Sequence, residues 1–254
     1  MELKVIAYAR NGHTDKFGIP RQSRDESPIF TRIVFEPEFA VNEALRGIEG
    51  FSHLWLIWGF SEVEREKTAL LKEKSNSWSP TVRPPRLGGN KRMGVFATRS
   101  PFRPNPIGLS SVRLVKVEKG ELIVSGADLL NGTPIYDIKP YLSFSDSHDD
   151  AKNGFAEEQK DYRLKVQWEC SETLIQRKWF ENDSRMTREW IGEVSYILSQ
   201  DPRPAYQDDP DREYKLDYKG FTVTFVVEKI SDNGNEPFGV VIVKNIEKIG
   251  FLPK

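Results

Sequence analysis

Two segments of the chain combine residue types that could bind a ligand or move a proton. The first runs from Arg83 to Gly108 and holds arginines and lysines among prolines, glycines and phenylalanines. Proline limits the freedom of the backbone, glycine lets a ligand approach the main chain, and Phe96 and Phe102 could offer stacking surfaces. Such a surface suits the phosphates and splayed bases of RNA. The same pattern also fits a rigid loop with phenylalanines in the core.

The positive charge extends beyond this first segment. No Asp or Glu occurs from Lys74 to Val117, an interval with nine Lys and Arg residues, although the whole chain has a net charge of −1. A stretch of one sign in a nearly neutral chain indicates a charged partner, unless acids elsewhere in the fold pair with it. We predict RNA contacts at Arg83, Arg86, Lys91, Arg92 and Arg103.

The second segment runs from Asp128 to Tyr141 and contains the turn signal Asn131-Gly132. Beyond that turn, Asp137, Lys139 and Tyr141 alternate, so an extended strand would point all three to one face. A carboxylate, an amine and a phenol on one face could transfer a proton, and we take these three as candidate catalytic residues. They could equally be a surface ion pair beside a strand tyrosine.

The elements that must position these segments are short strands with few helices between them. This pattern predicts a mainly β fold, a barrel or a sandwich. Strict alternation of strands and helices is missing, and no Gly-x-Gly-x-x-Gly follows the first strand, so a Rossmann cofactor site is disfavoured. Strands are predicted over residues 4–9, 29–35, 53–60, 95–98, 110–117 and 121–127, and a short helix over 43–48.

The chain divides after residue 145, where it becomes polar and acidic. We predict a first domain over residues 1–145, a linker over 146–162 and a second domain over 163–254. The second domain is predicted to be a small α+β module, because the apolar residues from 184 to 198 have helical spacing and strands are predicted over 164–168, 221–227 and 240–243.

Composition excludes several classes of protein. No apolar run is long enough for a membrane helix, and the first ten residues lack the apolar core of a signal peptide. The single cysteine, Cys170, cannot form an internal disulfide and fits the reducing cytoplasm, where we expect the protein. The three histidines lie far apart in the sequence, so no metal site is expected.

Six motifs resemble the TsaA-like (TrmO) family of S-adenosylmethionine-dependent tRNA methyltransferases. The long block from Gly94 to Ser110 is highly specific. The other motifs are Pro20-Arg21-Gln22, Phe51-Ser52-His53-Leu54-Trp55, Arg83-Pro84-Pro85-Arg86-Leu87-Gly88-Gly89, the segment from Asp128 to Tyr141, and Asp201-Pro202-Arg203-Pro204-Ala205-Tyr206.

The resemblance implies a β-barrel methyltransferase that acts as a homodimer with S-adenosylmethionine as its cofactor. It implies methylation of N6 of threonylcarbamoyladenosine next to the anticodon of threonine tRNA. It also implies cofactor contacts at Pro20, Arg21, Gln22, Phe60, Ser61, Arg99, Leu109, Asp128, Asn131, Gly132 and Thr133. The family usually has an aspartate where this chain has Asn131.

Two other functions use the same residues. A non-catalytic RNA-binding protein would need the basic segment and no cofactor. A small-molecule methyltransferase would act without tRNA and would depend little on salt.

Overall fold

The computed structural model describes residues 2–20, 22–60, 78–84, 91–159, 163–169, 187–203, 209, 211–228 and 239–249. Within these ranges, residues 2–11, 22–60, 78–84 and 91–151 form one compact unit. Residues 12–20 and the described residues from 152 onward form the second unit. The loop after the first strand is therefore shared, because its first part packs in the second unit.

The first unit is a closed six-stranded barrel, which confirms the predicted fold class. Its strands are β1 (Ala7–Arg10), β2 (Phe30–Phe35), β3 (His53–Gly59), β6 (Ile107–Glu118), β7 (Glu121–Ser125) and β8 (Pro134–Pro140). Neighbouring strands are all antiparallel and follow the order β1-β2-β7-β6-β3-β8 around the barrel. A short hairpin of β4 (Thr81–Val82) and β5 (Met93–Gly94) lies between β3 and β6 in the sequence.

Alternating aliphatic residues fill the barrel. On β3, Leu54 and Leu56 are fully buried, whereas His53, Trp55 and Ile57 face outward. This alternation follows from the two-residue period of a strand. Burying a Leu, Ile or Val side chain contributes roughly 1.5–3 kcal/mol relative to leaving it exposed, so this core is the main source of barrel stability. Further core residues are Ile33, Val112, Leu122, Val124, Leu129 and Ile135.

Two local predictions were wrong. The segment predicted as a strand over 95–98 forms a 3-10 turn, Val95–Ala97, directly after β5. The Thr98 N–H donates back to the Val95 oxygen and so closes the turn. The helix predicted over 43–48 is two 3-10 turns, Asn42–Leu45 and Ile48–Gly50, because Gly47 between them has a φ of 87°.

The second unit contains a four-stranded sheet. Its strands are β9 (Lys165–Trp168), β10 (Tyr214–Tyr218), β11 (Phe221–Glu228) and β12 (Val240–Lys248). They follow the order β10-β11-β12-β9, with β12 and β9 parallel.

Two α-helices lie between the last barrel strand and β10 in the described part of the chain. A one-turn helix, α1 (Ser143–Asp146), ends the barrel unit, and α2 (Arg188–Ser199) packs against β9. The helix predicted over 184–198 is confirmed from Arg188 onward, and the Thr187 side chain caps it by accepting a hydrogen bond from the Trp190 N–H. Residues 184–186 of that prediction lie outside the described residues.

The segment of residues 12–20 is anchored to this second sheet by the buried His13 and the half-buried Phe17. The His13 ring lies 5.4 Å from the Tyr218 ring, and the Phe17 ring lies 6.3 Å from that of Phe225. Next to them, the buried Glu193 carboxylate accepts hydrogen bonds from Tyr218 at 3.1 Å and from Lys219 at 2.6 Å. In the described part of the chain, no helix has the length and apolar character needed to cross a membrane.

Candidate active site

A partly buried carboxylate lies in the segment that joins β7 to β8. Asp128 Oδ1 accepts a hydrogen bond of 2.5 Å from Ser110 Oγ on β6. Ser110 Oγ in turn accepts a hydrogen bond of 2.9 Å from Trp58 Nε1 on β3. The main-chain N–H groups of Ser23 and of Asp128 itself favour the charged form of this carboxylate. Groups from two strands and one loop therefore hold Asp128 in a fixed position.

Two glycines allow this arrangement. Gly126 has a φ of 81°, and a Cβ there would lie 2.5 Å from the Arg24 carbonyl oxygen. The Arg24 N–H donates to the Gly126 oxygen at 3.1 Å, so only glycine lets the two segments approach this closely. The Trp58 ring lies directly over Gly108, where any Cβ would overlap it. These contacts bring Ser23 and Ser110 to the carboxylate.

The electrostatics of Asp128 are dominated by its burial. Burial raises the pKa of this carboxyl, and the hydrogen bond from Ser110 and the positive charge of Arg99 only partly offset that effect. Arg99 is exposed, and its guanidinium donates a hydrogen bond to the Gln22 side-chain oxygen. A partly buried carboxyl group and an exposed cation thus lie within electrostatic reach of each other.

The predicted turn at Asn131-Gly132 is attached to the end of β1. Gly132 has a φ of 84°, and its N–H donates to the Ala9 oxygen at 2.8 Å. The Ala9 N–H donates to the Thr133 oxygen at 2.9 Å. The Asn131 side-chain oxygen accepts from the Asn11 N–H at 3.2 Å, a bond that needs an acceptor and no charge. An asparagine at this position therefore preserves the turn.

The other expected cofactor residues lie in different places. The Phe60 ring centroid is 4.3 Å from that of Trp58, and Trp58 is the residue that donates to the Ser110 hydroxyl. Leu109 is 58% exposed on the outer face of the barrel, because alternation along β6 turns it away from Ser110. Pro20 is buried in the second unit. Arg21 and Ser61 lie outside the described residues.

The three candidate catalytic residues share the outer face of the barrel. Asp137 pairs with Ile57 and Lys139 with Trp55 in the register of β8 with β3. Lys139 Nζ lies 2.8 Å from Asp137 Oδ2, and the Tyr141 ring lies 5.4 Å from that of Trp55. Leu109 pairs with Ile57 from the other side, so it lies on the same face as Asp137, two strands away.

The predicted RNA-binding cations are mostly exposed. Among the described residues, no carboxylate forms an ion pair with Arg83, Lys91 or Arg92. Arg103 is half-buried and donates to the Thr98 oxygen at 2.7 Å. Arg86 lies outside the described residues. Internal pairing does apply to two other cations of the acid-free interval, Arg113 with Asp25 and Lys116 with Glu118.

Sequence reasoning missed the partners of Asp128 and a bulge where β8 pairs with β3 at Ile57 and Trp58. Trp58 pairs with Ile135 and Ile57 with Asp137, so Tyr136 is an extra residue in β8, and its ring lies over Gly59. Bulges are frequent next to active sites because they redirect side chains. The sequence signal for Tyr136 and Trp58 is weak: each ring covers a glycine on the neighbouring strand, Gly59 or Gly108.

Comparisons with known proteins match both units. Residues 8–147 match the family model of the tRNA-methyltransferase O N-terminal domain, and residues 161–244 match that of the TrmO C-terminal domain. The tRNA (adenine(37)-N6)-methyltransferase of Escherichia coli is 35% identical over 94% of this chain and 97% of its own length. A putative S-adenosylmethionine-dependent methyltransferase, RcsF, of Pseudomonas aeruginosa is 42% identical over 84% and 86% of the two chains.

A solved structure gives the same result. The crystal structure of TrmO from Pseudomonas aeruginosa superimposes with a TM-score of 0.71 at 30% identity and covers 97% of this chain and 98% of its own. The likeness therefore extends over the barrel, the second sheet and the order in which they follow each other in the sequence. This chain belongs to the tRNA-methyltransferase O family.

Proposed function

We propose that this chain transfers the methyl group of S-adenosylmethionine to N6 of adenosine 37 in tRNA. The observation that carries the proposal is a partly buried carboxylate, Asp128, within reach of Arg99, which lies in an acid-free and cation-rich segment. The relative from Escherichia coli that is named for this reaction aligns with nearly the whole chain, which supports the same activity here.

The residues around Asp128 fit the cofactor. S-adenosylmethionine carries an ammonium group, a carboxylate, ribose hydroxyls and a sulfonium, and when bound it supplies an electrophilic methyl group. Asp128 can accept hydrogen bonds from ammonium or hydroxyl groups. Arg99 with Gln22 can bind a carboxylate, and the Trp58 and Phe60 rings offer apolar surface. The family resemblance adds Arg21, Ser61, Leu109 and the turn at Asn131, Gly132 and Thr133 to this set.

The proton on N6 must leave as the new N–C bond forms. Of the three candidate residues, Lys139 is an ammonium 2.8 Å from Asp137, so its nitrogen has no lone pair to accept a proton. The Asp137 carboxylate also accepts a hydrogen bond of 2.9 Å from the Ile138 N–H through Oδ1, and its two oxygens have acceptor capacity beyond these two contacts. We assign Asp137 as the base, Lys139 as the group that orients its carboxylate, and Tyr141 as a positioning residue packed on Trp55.

The finer substrate assignment is threonylcarbamoyladenosine in threonine tRNA. Its N6 is urea-like and a poor nucleophile, so removal of its proton matters for rate. The threonyl carboxylate needs a cation, for which Arg86 or Arg99 is available. Arg83, Lys91, Arg92 and Arg103 are assigned to phosphates of the anticodon arm.

Three further features belong to this proposal. The protein works in the cytoplasm, where tRNA is modified, and it acts as a homodimer. Its catalytic domain ends near residue 145, and its second domain begins near residue 163. Light scattering of the purified protein tests the dimer, since a monomeric mass at working concentration contradicts it.

The deciding experiment uses mass spectrometry of tRNA nucleosides. Purified protein, S-adenosylmethionine and tRNA from cells that lack this activity should yield methylated threonylcarbamoyladenosine, and Asp128→Asn should abolish most of the product. Methylation of unmodified adenosine 37 would retain the reaction but correct the substrate. If the protein binds the cofactor but no nucleoside is methylated, the result would point to a small-molecule substrate. If calorimetry detects no cofactor binding, the RNA-binding alternative would remain.

A further inference from the structure

An exposed aromatic surface lies beside the cations and has no role in the function proposed above. We propose that the rings of Trp78 and Phe96, with the guanidinium of Arg103, form a platform that stacks an unpaired base of the tRNA anticodon loop next to the target adenosine. This inference rests on the proposed function for the identity of the RNA. The three residues of this surface and the contacts between them lie within the barrel unit.

The two rings are held side by side and remain open. Phe96 is 74% exposed and Trp78 is 39% exposed. Their centroids are 6.4 Å apart at an interplanar angle of 27°, which is an offset stacked arrangement. Aromatic rings of this size are normally buried, because exposing them to water is unfavourable. An exposed and preoriented pair is therefore a surface for a flat ligand.

The backbone under the rings is well connected. Trp78 precedes β4 and Phe96 follows β5, so the pairing of these two strands brings the rings together. The Val95 N–H donates to the Pro80 oxygen at 3.0 Å, and the Val95 side chain is buried. The hairpin and the turn after it therefore hold the rings without help from a ligand, so little ordering entropy is lost when a base binds.

A cation completes the platform. The Arg103 guanidinium carbon lies 5.8 Å from the Phe96 ring centroid, and its Nη1 donates to the oxygens of Val95 and Thr98. Arginine and aromatic rings together are the usual stacking surface for single-stranded bases. The exposed cations Arg83 and Arg92 lie in the same acid-free segment, which favours a polyanion over an apolar partner.

The position along the chain limits which base can bind. Phe96 is three residues from Arg99, so their Cα atoms are at most about 11 Å apart. Arg99 is the cation within reach of Asp128 in the proposed cofactor site. A base on Phe96 is thus a neighbour of the reacting adenosine rather than part of a distant stem.

The test is the affinity of a synthetic anticodon stem-loop, measured by fluorescence anisotropy without cofactor. Phe96→Ala should weaken binding by about 5- to 150-fold, because a stacked base contributes that much in other single-strand binders. Phe96→Trp should retain binding, while Phe96→Leu should not, since it keeps apolar area without the aromatic face. Phe144→Ala removes another exposed ring, which is 87% exposed on α1, and should leave affinity unchanged.

Two further measurements identify the interaction. The salt dependence of binding should be the same for Phe96→Ala and the wild type, because stacking releases no counterions, whereas Arg92→Ala should lower the slope by about one. A series of stem-loops, each with one abasic nucleotide, should include one that binds the wild type and Phe96→Ala with equal affinity, because it lacks the base that stacks on Phe96.

Any of three results would overturn the platform. The first is that Phe96→Ala binds every stem-loop as tightly as the wild type does. The second is that Phe96→Ala binds every abasic stem-loop more weakly than the wild type does. The third is that Phe96→Ala changes the mass of the protein in light scattering, which would make the rings an interface between proteins. Since binding is measured without methyl transfer, an inactive wild type would refute the proposed function and leave the platform to be judged separately by affinity.

Discussion

Replacing Asp128 with Asn should weaken cofactor binding and stabilise the fold at the same time. The amide in the Asp128→Asn variant would retain the shape and an acceptor for the Ser110 hydroxyl, but it would lack the negative charge. Burial raises the pKa of Asp128, so the ionised form is less favourable in the folded state than in the unfolded chain. As the pH rises above the ordinary value of 3.8, the unfolded chain loses its proton first, and stability falls. The substitution removes this loss.

The effect on cofactor binding has the opposite sign. A hydrogen bond to a charged group contributes about 1.5–3 kcal/mol, so losing the carboxylate should weaken binding by about 10- to 150-fold. The charge of Arg99 would also be less compensated and would repel the cationic sulfonium more strongly. Both contributions reduce affinity, while the stability change increases the free energy of unfolding.

Calorimetric titration with S-adenosylmethionine and urea unfolding at neutral pH measure the two effects. Asp150→Asn is the matched control, because it removes an exposed carboxylate from the same chain. Affinity within twofold of the wild type would show that Asp128 does not contact the cofactor. A clear fall in the free energy of unfolding at neutral pH would refute the reasoning from burial.

Three other substitutions test separate parts of the structure. Burial, and then the charge of Lys219, lower the pKa of His13 from 6.5 to about 4, so the unfolded chain binds a proton first as the pH falls. In urea unfolding, the free energy of unfolding of the wild type should fall by about 2 kcal/mol between about pH 7 and about pH 5, and this fall should be absent in His13→Gln. The same pH dependence in both proteins would contradict the prediction. Lys139→Ala should lower the rate constant of methyl transfer in single-turnover assays and leave the affinity for the cofactor unchanged. A rate constant equal to that of the wild type would remove the lysine from catalysis. Gly126→Ala should lower the free energy of unfolding in urea by more than about 1 kcal/mol relative to Gly47→Ala, which has a similar φ and no atom within 4 Å; equal effects would show that the contact with Arg24 is unimportant.

Several features could be predicted because they depend on residues close together in the sequence. Alternation with a period of two predicted that Asp137 and Lys139 share a face, and they form an ion pair there. Asn131-Gly132 predicted a turn because glycine adopts positive φ without strain. The turn at Val95–Ala97 was missed, because its apolar residues resemble a strand and its hydrogen bonds involve Pro80 and Thr98.

The amino-acid sequence by itself determined the fold class, the acid-free cationic interval and the family. Those properties depend on composition, short periods and contiguous motifs. Only the tertiary structure decided which groups surround Asp128, since Ser110 is 18 residues from Asp128 and Trp58 is 52 residues from Ser110. It likewise decided that Arg113 pairs with Asp25, 88 residues away, while the exposed Arg92 hydrogen-bonds to Thr81 and pairs with no carboxylate among the described residues. Contacts at these separations depend on strand order and register in the closed barrel, which local sequence does not encode.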